Sequence, residues 1–334
     1  MTEGAAPARP TGRPPAIEVG LNAAIVAVEK NAPLILVIQP ACPERFESLP
    51  FGPFDPLRHR TMEIGLREWV AAQTELRLGY VEQLYTFGDR GRHAEPGDSA
   101  PHVMSVGYLA LARMSADAAD ALARSHASWR PWYDYFPWED WREHEPRLIA
   151  STILPRLEEW CAEADDALRA ESRRDRVRIA FGGDELPWDE ERVLDRFELL
   201  YEAGLVEEAV RDGRAPARTR TGAAHLGRPM LHDHRRILAT AISRLRGKLK
   251  YRPVVFELMA ETFTLTELQR TVEAISGRRL HKQNFRRLVE QGELVEPTGG
   301  SSLSTGGRPA ALFRFRREVV QERPAPGLRL GVRA

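Results

Sequence analysis

Cysteine is nearly absent, with Cys42 and Cys161 the only two in 334 residues. They supply neither a disulfide framework nor a metal cluster of recognisable spacing, which fits a reducing compartment, and both read as small buried hydrophobes. Long apolar runs are missing as well: nothing approaches the ~18 consecutive apolar residues of a membrane-spanning helix. The first fifteen residues carry Pro, Gly, Ala and Arg but no apolar core of a secretory signal. Residues 1–16 are therefore expected to be a disordered tail, and the protein to be cytoplasmic with no membrane partner. Net charge is missing too, since 48 Lys and Arg balance 48 Asp and Glu. That excludes a chain that coats nucleic acid over its whole surface. Walker, GxGxxG, GxSxG and HExxH signatures do not occur.

What is present is charge segregated along the chain. Glu139 to Glu208 holds twenty-one acidic against ten basic residues, whereas Gly213 to Arg252 holds eleven basic residues opposed only by Asp233. Arg278 to Arg287 has five cations and no acid. A basic patch in a neutral protein is the footprint of a binder that meets phosphates with one module; a solvated helix face is the alternative.

Hydrophobic periodicity gives the organisation. Ile17 to Val28 and Leu34 to Ile38 read as a strand pair opening a sheet, Arg58 to Leu76 as a helix after a proline-rich loop, and Tyr80 to Phe87 and Val103 to Ala112 as further strands. Ser115 is placed to cap an alanine-rich helix reaching His126. This order is α+β, not a regular βαβ repeat. Seven aromatics between Trp129 and Trp141 then mark a packing or subunit-contact element. Helices are expected over Arg147 to Arg169, Asp189 to Glu208 and His234 to Lys248, an exposed Gly/Arg-rich loop over Arg211 to Pro229, and a disordered tail over 321–334. His232 and His234, two apart before a basic helix, are expected to be structural rather than metal-binding.

The C-terminal part carries the more specific signal. Thr264-Leu-Thr-Glu267 is a capping box that starts a helix, and Gly277 stops it. Lys282 to Gln291 follows with Phe285, Leu288 and Val289 on an inward face. Two short strands, Leu294 to Glu296 and Leu312 to Phe315, are joined by a Gly/Ser-rich segment. Helix, turn, helix, hairpin is the outline of a winged helix-turn-helix. Its second helix offers Gln283 and Asn284 to adenine, and Arg286 and Arg287 to guanine or phosphate, with Lys282 beside them; Arg278 and Arg279 suit phosphate and Arg308 the wing's contact with the backbone or minor groove. Lys248 and Lys250 are further candidates for DNA or a dimer partner.

A second resemblance lies in Thr61 to Glu75, which is similar to the core of a Nudix box. With Arg67-Glu68-Trp69 on the box's Arg-Glu-apolar part, Ala71, Ala72 and His59 stand where that family has metal-binding glutamates. A hard divalent cation needs several oxygen ligands, and alanines supply none. Tyr85 to Arg92 and Val103 to Leu111 look like the strand, substrate loop and strand of ADP-ribose-type Nudix proteins. Arg244 to Leu258, Phe263 to Gln269, Asn284 to Arg287 and Gly307 to Phe315 resemble the junction and winged helix of the Nudix-related, NrtR-type regulators of NAD metabolism, in their NadQ-like branch.

The resemblance implies a degenerate Nudix-like αβ sandwich over 17–250, with a helical insert at about 129–230, and a winged-helix domain over 251–320. It implies a homodimer that binds a palindromic double-stranded DNA operator near genes of NAD biosynthesis or salvage. It also implies an adenine-nucleotide effector, ADP-ribose, ATP or a relative of NAD, in a non-catalytic pocket with no required cofactor or metal. Arg58, Arg60, Arg67, Arg90 and Arg92 are the cations expected to take over phosphate charge there, although Arg67 equally suits a structural pair with an acid. The competing classes are an ADP-ribose or nucleoside-diphosphate pyrophosphohydrolase carrying a docking module, and a scaffold that uses the aromatic run as its contact surface.

Overall fold

The computed structural model describes residues 17–39, 46–89, 102–114, 122, 124–183, 186–219, 226–302, 309–322 and 325–328. Apolar and β-branched residues form β1 (Ile17–Glu29) and β2 (Ala32–Ile38), and Lys30 and Asn31 between them take positive φ angles of 47° and 67°. Two consecutive left-handed residues give the tight turn whose twist suits a hairpin. β4 (Tyr80–Phe87) and β5 (His102–Leu111) extend the sheet on the other side, with β1 and β5 parallel from Ile17 opposite His102 to Val26 opposite Leu111. Two short strands complete it, β3 (Phe51–Pro53) on β1 and β6 (Ala127–Pro131) on β2. The strand order is β4-β5-β1-β2-β6.

Alternation along β1 buries both faces of the sheet. Leu21, Ala23 and Ile25 meet Leu66 and Val70 of α1 (Met62–Thr74), while Ala24 and Val26 face the aromatic segment. Trp132, Tyr135, Phe136 and Trp138 are fully enclosed there, so the run is a packing element. α7 (His234–Tyr251) covers the same face through Ile237, Ala241 and Leu245.

The insert departs from expectation. Helix begins at Arg147 as expected and runs through a π turn over Ile149–Ile153 into α2 (Leu154–Ala162), but it ends there and does not reach 169; Asp166 caps a new helix, α3 (Ala167–Phe181), by accepting the Arg169 N–H at 2.7 Å. Instead of one helix over 189–208, α4 (Val193–Glu202) stops before Gly204 at φ 73° and α5 (Glu207–Arg211) restarts. Asp189 accepts from the Glu191 N–H in the turn before α4 and is not its cap. The loop expected to be exposed over 211–229 contains α6 (Ala215–Thr219), and Leu226 within it is buried. Cys161 is buried as expected; Cys42 and the helix expected from Ser115 fall wholly or largely outside the described residues.

Beyond α7 come α8 (Leu265–Ser276), α9 (Lys282–Gln291), the hairpin β7 (Val295–Ser302) and β8 (Ala310–Phe315), and a last turn, α10 (Val319–Glu322). Leu268, Val272, Ile275, Phe285 and Val289 join the same core cluster as the sheet and α7. Residues 325–328 do not form the loose tail expected, because Leu328 is buried and its N–H donates to the Leu249 carbonyl at 2.9 Å.

Charged groups are buried where these parts meet. Glu139 is fully enclosed, and Arg196 of α4 donates to it through Nε and Nη2 at 2.6 and 2.8 Å. Arg246 of α7 donates to the same carboxylate at 2.7 Å, and its Nε reaches the Ile275 carbonyl of α8 at 2.9 Å. Arg235 pairs with Glu208 at 3.2 Å beneath the rings of Phe136 and Phe197. Glu47, near β2, receives Tyr135 Oη at 2.5 Å and Gln39 Nε2 at 3.0 Å, with Arg130 and Arg228 at 3.1 and 3.3 Å.

Burial opposes ionisation of Glu47, but the hydrogen bonds from Tyr135 and Gln39 and the two guanidinium groups outweigh it and hold the pKa below its ordinary value. Its contribution to stability is therefore complete above the unfolded value, about 4.3, and is lost as the pH falls through the lower folded value. In urea unfolding below pH 5, Glu47→Gln is expected to show a shallower loss of stability on acidification than the wild type. Parallel acid profiles would remove Glu47 from the linkage.

Candidate nucleic-acid interface and nucleotide pocket

The helix-turn-helix is set by local rules before packing acts on it. Thr264 Oγ1 accepts the Glu267 N–H at 3.2 Å and the Glu267 carboxylate accepts the Thr264 N–H at 2.7 Å, so the expected capping box starts α8. Gly277, at φ 73°, ends it. α9 then buries Phe285 and Val289, which leaves Lys282, Gln283, Asn284, Arg286 and Arg287 exposed. The side chains of these five make no hydrogen bond or ion pair with another described residue. They form a polar, cationic helix face with its donors free.

The hairpin behind α9 is tied to the module's start. Phe263 and Phe313 exchange backbone hydrogen bonds of 2.9 and 2.8 Å, and the rings of Phe256 and Phe315 stack with centroids 4.3 Å apart. β7 and β8 run farther than the two short strands expected, and Arg308 lies outside the described residues.

The other basic candidates are placed differently. Arg278 is turned inward, 3.3 Å from Glu190, with a side chain only 12% exposed. Arg279 is exposed and pairs with Glu143 at 2.5 Å while donating to the Arg142 carbonyl at 2.7 Å. Lys248 sits 2.6 Å from Glu82 and Lys250 2.5 Å from Glu191, so both are engaged within the chain.

At the Nudix-box region, α1 begins where Thr61 accepts the Ile64 N–H at 3.2 Å. His59 is buried, its Nδ1 accepts the Asp55 N–H at 3.1 Å, and its Nε2 lies 3.5 Å from Glu68. Gly65 makes room for the ring, since a Cβ there would stand 2.6 Å from His59 Nδ1. Ala71 and Ala72 are exposed. Arg58 and Arg60 are exposed near the start of α1, Arg58 at 4.0 Å from Glu68. Arg67 is committed to structure: it pairs with Glu63 at 2.9 Å and donates to the Leu78 and Gly79 carbonyls at 2.5 and 3.1 Å. Arg90 and Arg92 lie outside the described residues. His234 accepts the Leu49 N–H at 3.0 Å, a structural role. Among the described residues, no group of three or more His, Cys, Asp and Glu converges as a metal site would, and no helix is long and apolar enough to cross a membrane.

Residues 255–315 match the family model of the NrtR DNA-binding winged helix domain. The C-terminal module is similar to that family's winged helix. The ADPR responsive transcriptional repressor NtrR of Acinetobacter baylyi is 43% identical over 83 residues, 25% of this chain and 33% of that protein. The match therefore spans about a third of the curated relative's length. Shewanella oneidensis NrtR in complex with a 27mer DNA superposes with a TM-score of 0.52 at 20% identity, over 91% of this chain and 95% of that one. Its DNA-free form gives 0.52 at 19% identity, over 90% and 95%. The overall fold is thus that of NrtR, a Nudix-like αβ domain followed by a winged helix.

The residues sequence reasoning passed over are those that seat this winged helix. Tyr133 Oη donates to the Ala274 carbonyl at 2.8 Å, the Trp141 N–H donates to the Gly277 carbonyl at 2.7 Å, and Arg246 reaches Ile275. A Cβ at Gly277 would stand 2.4 Å from the Glu139 carbonyl oxygen and 2.7 Å from Arg246 Nη2. Gly277→Ala is therefore expected to lower the unfolding free energy by about 1–3 kcal/mol, from left-handed strain and the closed approach together. Wild-type stability of that variant in urea would show that the junction is looser than described.

Proposed function

We propose that this chain is a nucleotide-responsive transcriptional repressor of NAD biosynthesis or salvage genes, of the NadQ-like branch. The observation that carries the reading is the set of five unpaired polar and cationic side chains on α9 of an NrtR-type winged helix. In this reading residues 251–320 hold a palindromic operator, Gln283, Asn284, Arg286 and Arg287 reading base edges while Lys282, Arg279 and Arg308 take phosphates. Residues 17–250 sense an adenine nucleotide and form the dimer, so two recognition helices sit about one helical turn apart on the DNA. ADP-ribose is the leading effector because the curated relative is named for it. Arg58, Arg60, Arg90 and Arg92 would hold its phosphates, and Arg67 would act by fixing the end of α1. The protein works in the cytoplasm, on the nucleoid when bound to its operator.

The Nudix domain is read as a sensor without hydrolytic chemistry. His59, Ala71 and Ala72 occupy the positions of metal-binding glutamates, and His59 is already used as a buried acceptor for Asp55. An effector that favours one dimer geometry changes operator affinity only by its differential affinity for the two, and ~2–3 kcal/mol gives roughly 30- to 150-fold.

Gel-shift titration on a duplex selected by the protein, with and without ADP-ribose, ATP or NAD, tests this. ADP-ribose is expected to change operator affinity by at least about fivefold. Arg286→Glu with Arg287→Glu is expected to weaken the duplex at least about 100-fold and to leave ADP-ribose binding intact. Indifference to every duplex at any ionic strength, or magnesium-dependent turnover of ADP-ribose, would overturn the proposal.

A further inference from the structure

A cleft of about 520 Å³ opens where the N-terminal sheet meets the winged helix. Its walls are the β1–β2 turn, the segment 140–143, α8 and the turn that leads into α9. The walls are tied together: Arg142 donates to the Asn31 carbonyl at 2.5 Å, and Arg279 donates to the Arg142 carbonyl at 2.7 Å.

Most of the charge that lines the cleft is already balanced. Asp140 is held by Arg142 through two contacts of 2.7 Å, and Glu143 pairs with Arg279. Glu273 accepts the Leu280 N–H and Gln269 Nε2, both at 2.9 Å. The lining then carries four cations against three carboxylates, a net charge of +1, and its two cations outside these ion pairs are Lys30 at the tip of the hairpin and Arg270 on α8. Both are exposed, and neither has an ion-pair partner among the described residues. The Arg279–Glu143 pair is 68% and 74% exposed, so Arg279 can exchange its carboxylate for another anion at little cost.

We propose that this cleft seats the phosphate backbone of DNA flanking the recognised site, with Lys30 and Arg270 as its contacts, so that the DNA footprint extends from the winged helix onto the N-terminal domain. The inference rests on the DNA-binding reading above. Arg279 lines the cleft and precedes Lys282 by three residues, a span of at most about 11 Å. A duplex carries one charge per ~1.7 Å of its axis, so several phosphates fall within a span of that length beside one engaged by the first turn of α9. Lys30 comes from a hairpin outside the helix-turn-helix, which explains why the sequence pattern of the module did not point to it.

The test is the salt dependence of affinity for two duplexes, one trimmed to the recognised site and one extended by a helical turn on each side. Wild-type protein, Lys30→Gln, Arg270→Gln and the double variant are compared; both substituted side chains lie at the surface. Each cation that neutralises a phosphate adds about 0.9 to the slope of log affinity against log salt. The double variant is expected to lose about 1.8 of that slope on the extended duplex, so its fall in affinity between 50 and 200 mM salt is roughly tenfold smaller than the wild type's. On the trimmed duplex the two proteins should have equal slopes. Equal slopes on the extended duplex, or the same loss on both duplexes, would overturn the cleft while leaving DNA binding by α9 standing. Displacement of the extended duplex by millimolar inorganic phosphate or ADP-ribose, lost in the double variant, would assign the cleft to a small anion and also overturn it. If no duplex binds at all, the DNA-binding reading falls and this inference with it.

Discussion

One buried charge holds this protein's parts in register. Glu139 is fully enclosed and shares its carboxylate between Arg196 of the insert and Arg246 of α7, and Arg246 goes on to the last turn of α8. Such a cluster is weak evidence for net stability, because apolar residues of similar volume often do as well or better. Its value is geometric. Removing one partner leaves an unpaired charge in a dry site at about 3–5 kcal/mol, so the alternatives to this one arrangement of sheet, insert and winged helix are strongly disfavoured.

Around that point the insert acts as a bracket. Its segment 133–143 supplies Tyr133 and Trp141 to the end of α8 and supplies Arg142 to the β1–β2 turn, while α7 lies against both the sheet and the winged helix. The module that presents α9 is therefore seated on the N-terminal domain through these contacts. On the reading proposed above, a nucleotide bound to the N-terminal domain would respace two recognition helices through these packed elements.

Local chemistry was legible in the sequence wherever it decided the outcome. The β1–β2 hairpin, β4, the capping box at Thr264, the stop at Gly277 and the limits of α9 all follow from turn residues, caps and periodicity. What was not legible depends on distant partners. β3 is three residues long and exists because β1 is beside it, and β6 was hidden in an aromatic run until β2 paired with it. The breaks in the insert's helices at Asp166 and before Gly204 are different: they follow from a local cap and a left-handed glycine, signals that periodicity alone passes over. Of the candidate DNA-contact residues, the face of α9 followed from its 3.6-residue period, but the inward turn of Arg278 required Glu190 from elsewhere in the fold. Glu139 carried no sequence signal, since burial of a charge is a tertiary property.

The central claim is that the Glu139 cluster fixes the winged helix on the N-terminal domain. Native-state hydrogen exchange reads this most directly at the Trp141 amide, whose bond to the Gly277 carbonyl spans the junction. In Glu139→Gln, the Trp141 amide and the last turn of α8 should exchange at least about tenfold faster, while the amides of β1 and β5 keep their protection. Unchanged exchange at Trp141, or acceleration spread evenly over the sheet and the junction, would contradict the account.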